Sequence, residues 1–120
     1  MSKILTICLP YPDKLLHPNS CAHWKAKMKA KEDARTLAQY MAVKHKGVFA
    51  KEDTLLMLVE FLFTDARRRD LDNLLASCKH TLDGVFLGLG IDDSQVQSIT
   101  LRKHKKAQAQ QIVVTITQEE

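Results

Sequence analysis

The 120-residue sequence is poor in residues that staple or punctuate a chain: three cysteines, three prolines and four glycines, with one Trp, two Tyr and four Phe. Cys8, Cys21 and Cys78 are odd in number, widely spaced and without a CxxC pair. That argues against a disulfide framework and a structural zinc site, and it favours a reduced, cytoplasmic setting. So few glycines and prolines exclude a collagen-like or low-complexity chain. Long apolar runs are missing too, since the longest, from Leu55 to Phe63, is broken by Glu60. Neither membrane spanning nor secretion is supported. HExxH, GxSxG, Walker A and GxGxxG patterns are absent, which speaks against zincin chemistry, a nucleophile elbow and a nucleotide cofactor. The length suits one domain over 1–120 and is too short for a TIM barrel or a paired-half Rossmann fold.

What is present is a regular alternation of elements. Residues 3 to 9 read as a strand that stops at Pro10-Tyr11-Pro12. A helix is expected from about Cys21 to Lys46, capped by Asn19 or Ser20 and closed by Gly47. Thr54 to Thr64 reads as a strand with two largely apolar faces, Leu55, Met57, Val59, Phe61 and Phe63 against Leu56, Leu58, Glu60 and Leu62. If helices cover one face, a second copy of the chain is the expected cover for the other. Leu71, Leu74, Leu75, Cys78, Leu82, Val85, Phe86 and Leu89 recur at helical spacing, and Gly88 and Gly90 are expected to end that helix. Two further strands fit Val96 to Lys103 and Gln111 to Gln118, with the basic linker between them read as a hairpin loop. The order β-α-β-α-β-β predicts an α+β two-layer domain, a mixed sheet with helices on one face, and a homodimer.

Acids and bases are sorted along the chain. Asp70 and Asp72 bracket the start of the second helix, where capping alone is the simplest explanation. Asp92 and Asp93 lie just past its other end, roughly 27 Å away at 1.5 Å per residue. One chain brings the two clusters together only through a neighbouring element, whereas a two-fold dimer can place the far end of one helix beside the near end of the other. Converging carboxylates need a divalent cation, and oxygen-only ligands suit Mg²⁺, or alternatively Mn²⁺. Arg67, Arg68 and Arg69 directly precede Asp70 and offer bidentate grips on phosphate, although a solvated charge run is the plainer reading. The first helix, with Lys25, Lys27 and Lys29 among seven cations against two acids, has a local charge of +5 that exceeds the +4 of the whole chain. Such sorting points to a polyanion, and Lys103, Lys105 and Lys106 add a second basic stretch. Trp24 and His23 are placed to stack or to contact phosphate, although packing of Trp24 on the core is the plainer expectation. Lys79 shares a helix face with Asp72 two turns along, placed to lean back toward the acids or to pair with Asp83.

Arg67-Arg68-Arg69-Asp70-Leu71-Asp72-Asn73-Leu74, then Leu82-Asp83-Gly84 and Ile91-Asp92-Asp93-Ser94-Gln95-Val96, resembles the RusA family of Holliday junction resolvases of bacteria and phages. Leu9-Pro10-Tyr11-Pro12 and the closing Val113-Val114-Thr115-Ile116 strand suit the family as well. The resemblance implies a homodimeric, Mg²⁺-dependent endodeoxyribonuclease that nicks four-way DNA junctions symmetrically. It implies that Asp70, Asp72 and Asp93 are the essential carboxylates with Asp92 beside them, and that Arg69 faces a phosphate. One position departs from the family: a lysine common one turn after Asp72 is replaced by Ala76, and Lys79, one turn farther along the same face, is its expected substitute. Two other functions follow from the same residues: a junction-binding protein with weak or lost cleavage, and a small-molecule phosphohydrolase, whose activity would depend little on salt.

Overall fold

A computed structural model describes residues 2–11 and 23–120. Its order is β1 (Ile4–Leu9), α1 (Trp24–Ala42), β2 (Thr54–Leu62), α2 (Leu71–Leu89), β3 (Val96–His104) and β4 (Gln111–Glu119), with single 3₁₀ turns at Val43–His45 and Asp93–Gln95. The four strands form one mixed sheet in the order β1-β4-β2-β3. β2 runs antiparallel to β4 and parallel to β3, and β1 runs antiparallel to β4. This is the α+β architecture that the alternation of elements predicts.

Period-two patterning decides which way the sheet faces. Leu55, Met57, Val59 and Phe61 of β2 and Ile112, Val114 and Ile116 of β4 are buried, and the helices cover that side. On the opposite face Leu56, Leu58 and Leu62 are half-buried among Thr6, Thr115 and Thr117, with Glu60 holding His104 at 2.7 Å. That face is mixed rather than continuously apolar.

The expected hairpin between the last two strands is not there. β3 joins β2 in parallel after the α2 crossover and so fills one edge of β2, leaving β4 only the other edge. The connection instead crosses the end of β2, where Lys106 N donates to Asp65 O and Ala107 N to Phe63 O.

The first helix is shorter than its composition suggests. The expected caps Asn19 and Ser20, together with Cys21, lie outside the described residues, and His23 caps α1 through Nδ1, which accepts from Lys25 N at 3.2 Å. Trp24 is 60% exposed, contrary to the expected core position. The buried side of α1 is made of Ala30, Ala38 and Ala42. Two of these alanines meet glycines of α2: a Cβ at Gly84 would stand 2.9 Å from Ala38 Cβ, and one at Gly88 2.8 Å from Ala42 Cβ. Gly88 is therefore an interior contact residue rather than a terminator, and Gly90, at φ +72°, ends α2 with its N–H on Leu87 O while Ile91 N reaches Phe86 O. Because Arg35 lies against Gly84 and Gln39 against Gly88, the helices run in the same direction. Their N-termini share one end of the domain. Cys78 is fully buried and its thiol is pushed up to about 12 by burial, which makes it an inert core residue.

Candidate acidic groove and nucleic-acid interface

The loop that delivers Asp70 is built around Arg69. Its guanidinium holds Asp65 through two nitrogens at 2.7 and 3.2 Å and lies 3.7 Å over the Phe63 ring, which stacks on Tyr11. The side chain is only 20% exposed, and Lys103 Nζ donates to the Arg69 carbonyl from β3. Both residues, read from sequence as DNA contacts, thus have a structural task in holding the loop. Arg67 and Arg68 beside them are exposed.

Two hydrogen bonds lead the causes that lower Asp65, first from the Arg69 guanidinium and then from the Arg67 backbone, and its carboxyl is held down to about 2. A folded pKa below the unfolded value stabilises above the ordinary carboxylate range, and that stabilisation is lost as pH falls through about 2. Between pH 4 and 2, therefore, Asp65→Asn is expected to flatten the fall in melting temperature, as measured by scanning calorimetry against the parent.

Asp70 stands at the N-cap of α2, yet its side chain makes no capping bond. Simple capping therefore does not account for its carboxylate. Asp72 follows in the first turn, exposed, with Oδ1 accepting from Asn73 N at 3.0 Å.

At the other end, the Ile91–Val96 motif separates into tasks. Ile91 is buried, and Val96 pairs with Leu55 of β2. Asp92 accepts from Ser94 N while Gln95 accepts from Asp92 N, a reciprocal capping box. Gln95 also donates to the carbonyls of Ala50 and Asp53, strapping this turn to the entry of β2. Asp93 stands in the same turn, where its carbonyl accepts from Val96 N, but its carboxyl is not one of the groups that make the capping box. Its carboxyl is raised, first by a hydrogen bond with Asp92 and then by that neighbour's charge, whereas Asp92 is lowered chiefly by the Ser94 backbone.

A groove of about 450 Å³ between α2 and β3 takes in one member of each acidic cluster, Asp72 and Asp93, while Asp70 and Asp92 do not line it. Asp72, Ala76, Lys79, Asp83 and Asp93 all line it, with Ile99 on the sheet side. Asp72 and Asp83 are eleven residues apart on α2, roughly 16 Å of rise, so Asp72 and Asp93 sit toward opposite ends. Among the described residues no three His, Cys, Asp or Glu stand close enough to hold a metal ion. Lys79 lies in the same groove one turn past Ala76.

The bases gather at the Asp72 end. Lys25, Lys27 and Lys29 begin α1, whose N-terminus shares that end with α2, and Lys105 leaves β3 in the loop bonded to Asp65 and Phe63. Lys29 lies 3.5 Å from Asp33, and Lys25 sits over the Trp24 ring at 5.9 Å. No helix among the described residues is long and apolar enough to cross a membrane.

The family model for Endodeoxyribonuclease RusA matches residues 15–117. The chain belongs to the RusA endodeoxyribonuclease family. An uncharacterized protein of Xylella fastidiosa (strain Temecula1 / ATCC 700964) is 34% identical over 120 residues, an alignment that covers 98% of this chain and 78% of that protein. RusA membership supports nuclease activity on DNA and spans both acidic clusters and the Arg-rich loop. Sequence reasoning missed the tasks of Arg69 and Gln95. A guanidinium partner four residues upstream, Asp65, was the available signal for the first; nothing local signals the second, because its acceptors lie more than 40 residues away.

Proposed function

We propose that the protein is a Mg²⁺-dependent endodeoxyribonuclease that resolves four-way DNA junctions by paired symmetric nicks in recombination and repair, acting as a homodimer. The observation that carries this reading is the single groove holding Asp72, Lys79 and Asp93, with Asp72 at the end of the domain where the basic side chains of early α1 lie. The donor set fits Mg²⁺ in chemistry, since all its members are carboxylates and Mg²⁺ commonly takes one or two of them with water and substrate phosphate. Mn²⁺ suits the same oxygens. The Asp92–Asp93 pair is crowded negative charge that a cation would relieve. When bound, the metal supplies a water nucleophile at neutral pH and neutralises charge on the phosphate. Asp70 and Asp72 would hold it, with Asp93 completing the set and Asp92 fixing the turn that presents Asp93. Arg67 and Arg68 grip the backbone, and Lys79 places positive charge beside the scissile phosphate in the position left by Ala76.

The separation of Asp72 from Asp93 favours a shared site. β3 is an edge strand with Ile99 48% exposed beside the apolar wall of the groove. A second copy related by a two-fold axis and paired along β3 would run antiparallel, laying its own Asp93 end beside this Asp72 end. Two such sites match the two strands that a junction must lose. Ile99→Lys, a change at an exposed position, is therefore expected to convert the dimer to monomer in sedimentation velocity and to stop nicking together. A variant that stays dimeric and cuts would refute the shared groove.

The deciding assay uses a four-way junction with Mg²⁺. The parent is expected to introduce paired nicks, and Asp70→Asn to bind without cutting; equal cutting by both would overturn the assignment. Ala76 favours a second reading, a junction-binding protein with weak or lost cleavage, whose mark is tight binding without nicks in Mg²⁺ or Mn²⁺. Under the nuclease reading Ala76→Lys raises the cutting rate, and under the binding reading it changes affinity alone.

A further inference from the structure

We propose that Lys31, Arg35, Lys79 and His80 form a phosphate-binding saddle across the seam between α1 and α2, which holds the sugar-phosphate backbone of a DNA arm beside the acidic groove. This rests on the nuclease reading above and adds residues to it. The seam is fixed by a close backbone approach at Gly84 and Gly88, so side chains from two helices are held in one relation to each other. Arg35 Nη2 lies 3.4 Å from His80 Nδ1. A guanidinium can only donate, so Nδ1 accepts and the ring proton sits on Nε2, which leaves an N–H donor among three cations. The charged groups facing His80 are Lys31 and Arg35 on α1 and Lys79 and Asp83 on α2. Three positive charges against one negative make a site for an anion. His80 accordingly titrates below its ordinary value, first through burial and then through Lys31, Arg35 and Lys79, with Asp83 opposing.

Placement ties the saddle to the acids on both sides. Lys79 lines the groove that holds Asp72 and Asp93. Arg35 also lines a cleft of about 840 Å³ at the far end of α2, which contains Lys51, Asp92 and Asp93. A strand seated on the saddle would therefore lie along the ridge between the two depressions that contain Asp93.

The test measures affinity for a four-way junction against salt concentration, without divalent metal so that no cutting intervenes. Every phosphate that the protein ceases to neutralise should make the slope of log K against log[salt] shallower by about 0.9. Lys31→Ala with Arg35→Gln is expected to weaken binding at least tenfold and to flatten the slope by about 2. Lys44→Ala, on a separate cavity against β1, should leave both unchanged. If Arg35→Gln melts early, Lys31→Ala, at an exposed helix position, carries the test with a slope change of about 1. An NMR titration supplies the second readout: the His80 midpoint should rise when junction DNA is added to the parent. A parent that binds with an affinity and slope matched by the saddle variants overturns the saddle and leaves the nuclease reading standing. A parent that binds no junction overturns both.

Discussion

Replacing Gly84 with alanine is expected to lower the melting temperature by on the order of 10 °C, in spite of the better helix propensity of alanine. The propensity gain is about 0.8–1 kcal/mol in a helix interior. Against it stands a Cβ placed 2.2 Å from the Arg35 carbonyl oxygen and 2.9 Å from Ala38 Cβ, distances that force the helices apart. Overpacking of this kind typically costs about 1–3 kcal/mol and more where backbone must move, and about 1 kcal/mol corresponds to several degrees in a domain of this size. The worst contact is with a main-chain oxygen, so trimming Ala38 to glycine in the Gly84→Ala background should restore little. Parting the seam also moves Arg35 away from His80, so junction affinity should fall along with stability. Calorimetry of Gly84→Ala, Ala38→Gly and the double variant checks the prediction, and a rise in melting temperature for Gly84→Ala would rule out the close approach.

That seam shows why part of the fold was open to reading and part was not. The Leu71–Leu89 stripe and the alternation in β2 and β4 report burial directly, because a side chain of fixed chemistry recurs at the period of its element. Alanines in α1 and glycines in α2 carry no such sign. Ala30, Ala38 and Ala42 read as helix formers, and Gly88 reads as a stop, until the two helices are seen to need one another's missing atoms. Trp24 goes the other way, an indole left exposed at the start of α1 against the usual preference of that side chain for the core. The false hairpin has a topological cause. Local sequence fixes a turn after β3, but the partner of β4 is settled by which edge of β2 the α2 crossover has already filled.

The site divides in a similar way. Residue type marked Asp70, Asp72, Asp92 and Asp93 and the Arg run, yet type alone assigns them to one task. The three-dimensional arrangement separates Asp92, Arg69 and Gln95, which shape the loops, from Asp70 and Asp93, whose carboxylates have no capping task.

From that separation follows the largest expected effect on activity. Asp93→Asn should reduce junction nicking on the order of 10³-fold, the scale for losing a metal-activating or proton-transferring carboxylate, while the protein remains folded and still binds DNA. Its stability should hold or rise. Asp93 is exposed, and it is raised by Asp92, so the ionised pair is a repulsion that the amide removes. The pH dependence gives an independent check. A raised folded pKa stabilises at low pH and ceases to do so as pH rises through the folded pKa, so the parent should lose stability over that interval relative to Asp93→Asn. Asp92→Ala supplies the contrast, because it deletes the acceptor for Ser94 N and should lower the melting temperature. Activity loss with a cooler melt at Asp92, and activity loss with an unchanged or warmer melt at Asp93, would distinguish the residue that builds the turn from the one the turn presents. If Asp93→Asn cuts junctions at the parent's rate, that carboxylate is not part of the chemistry, and cleavage must act through Asp70 and Asp72 alone.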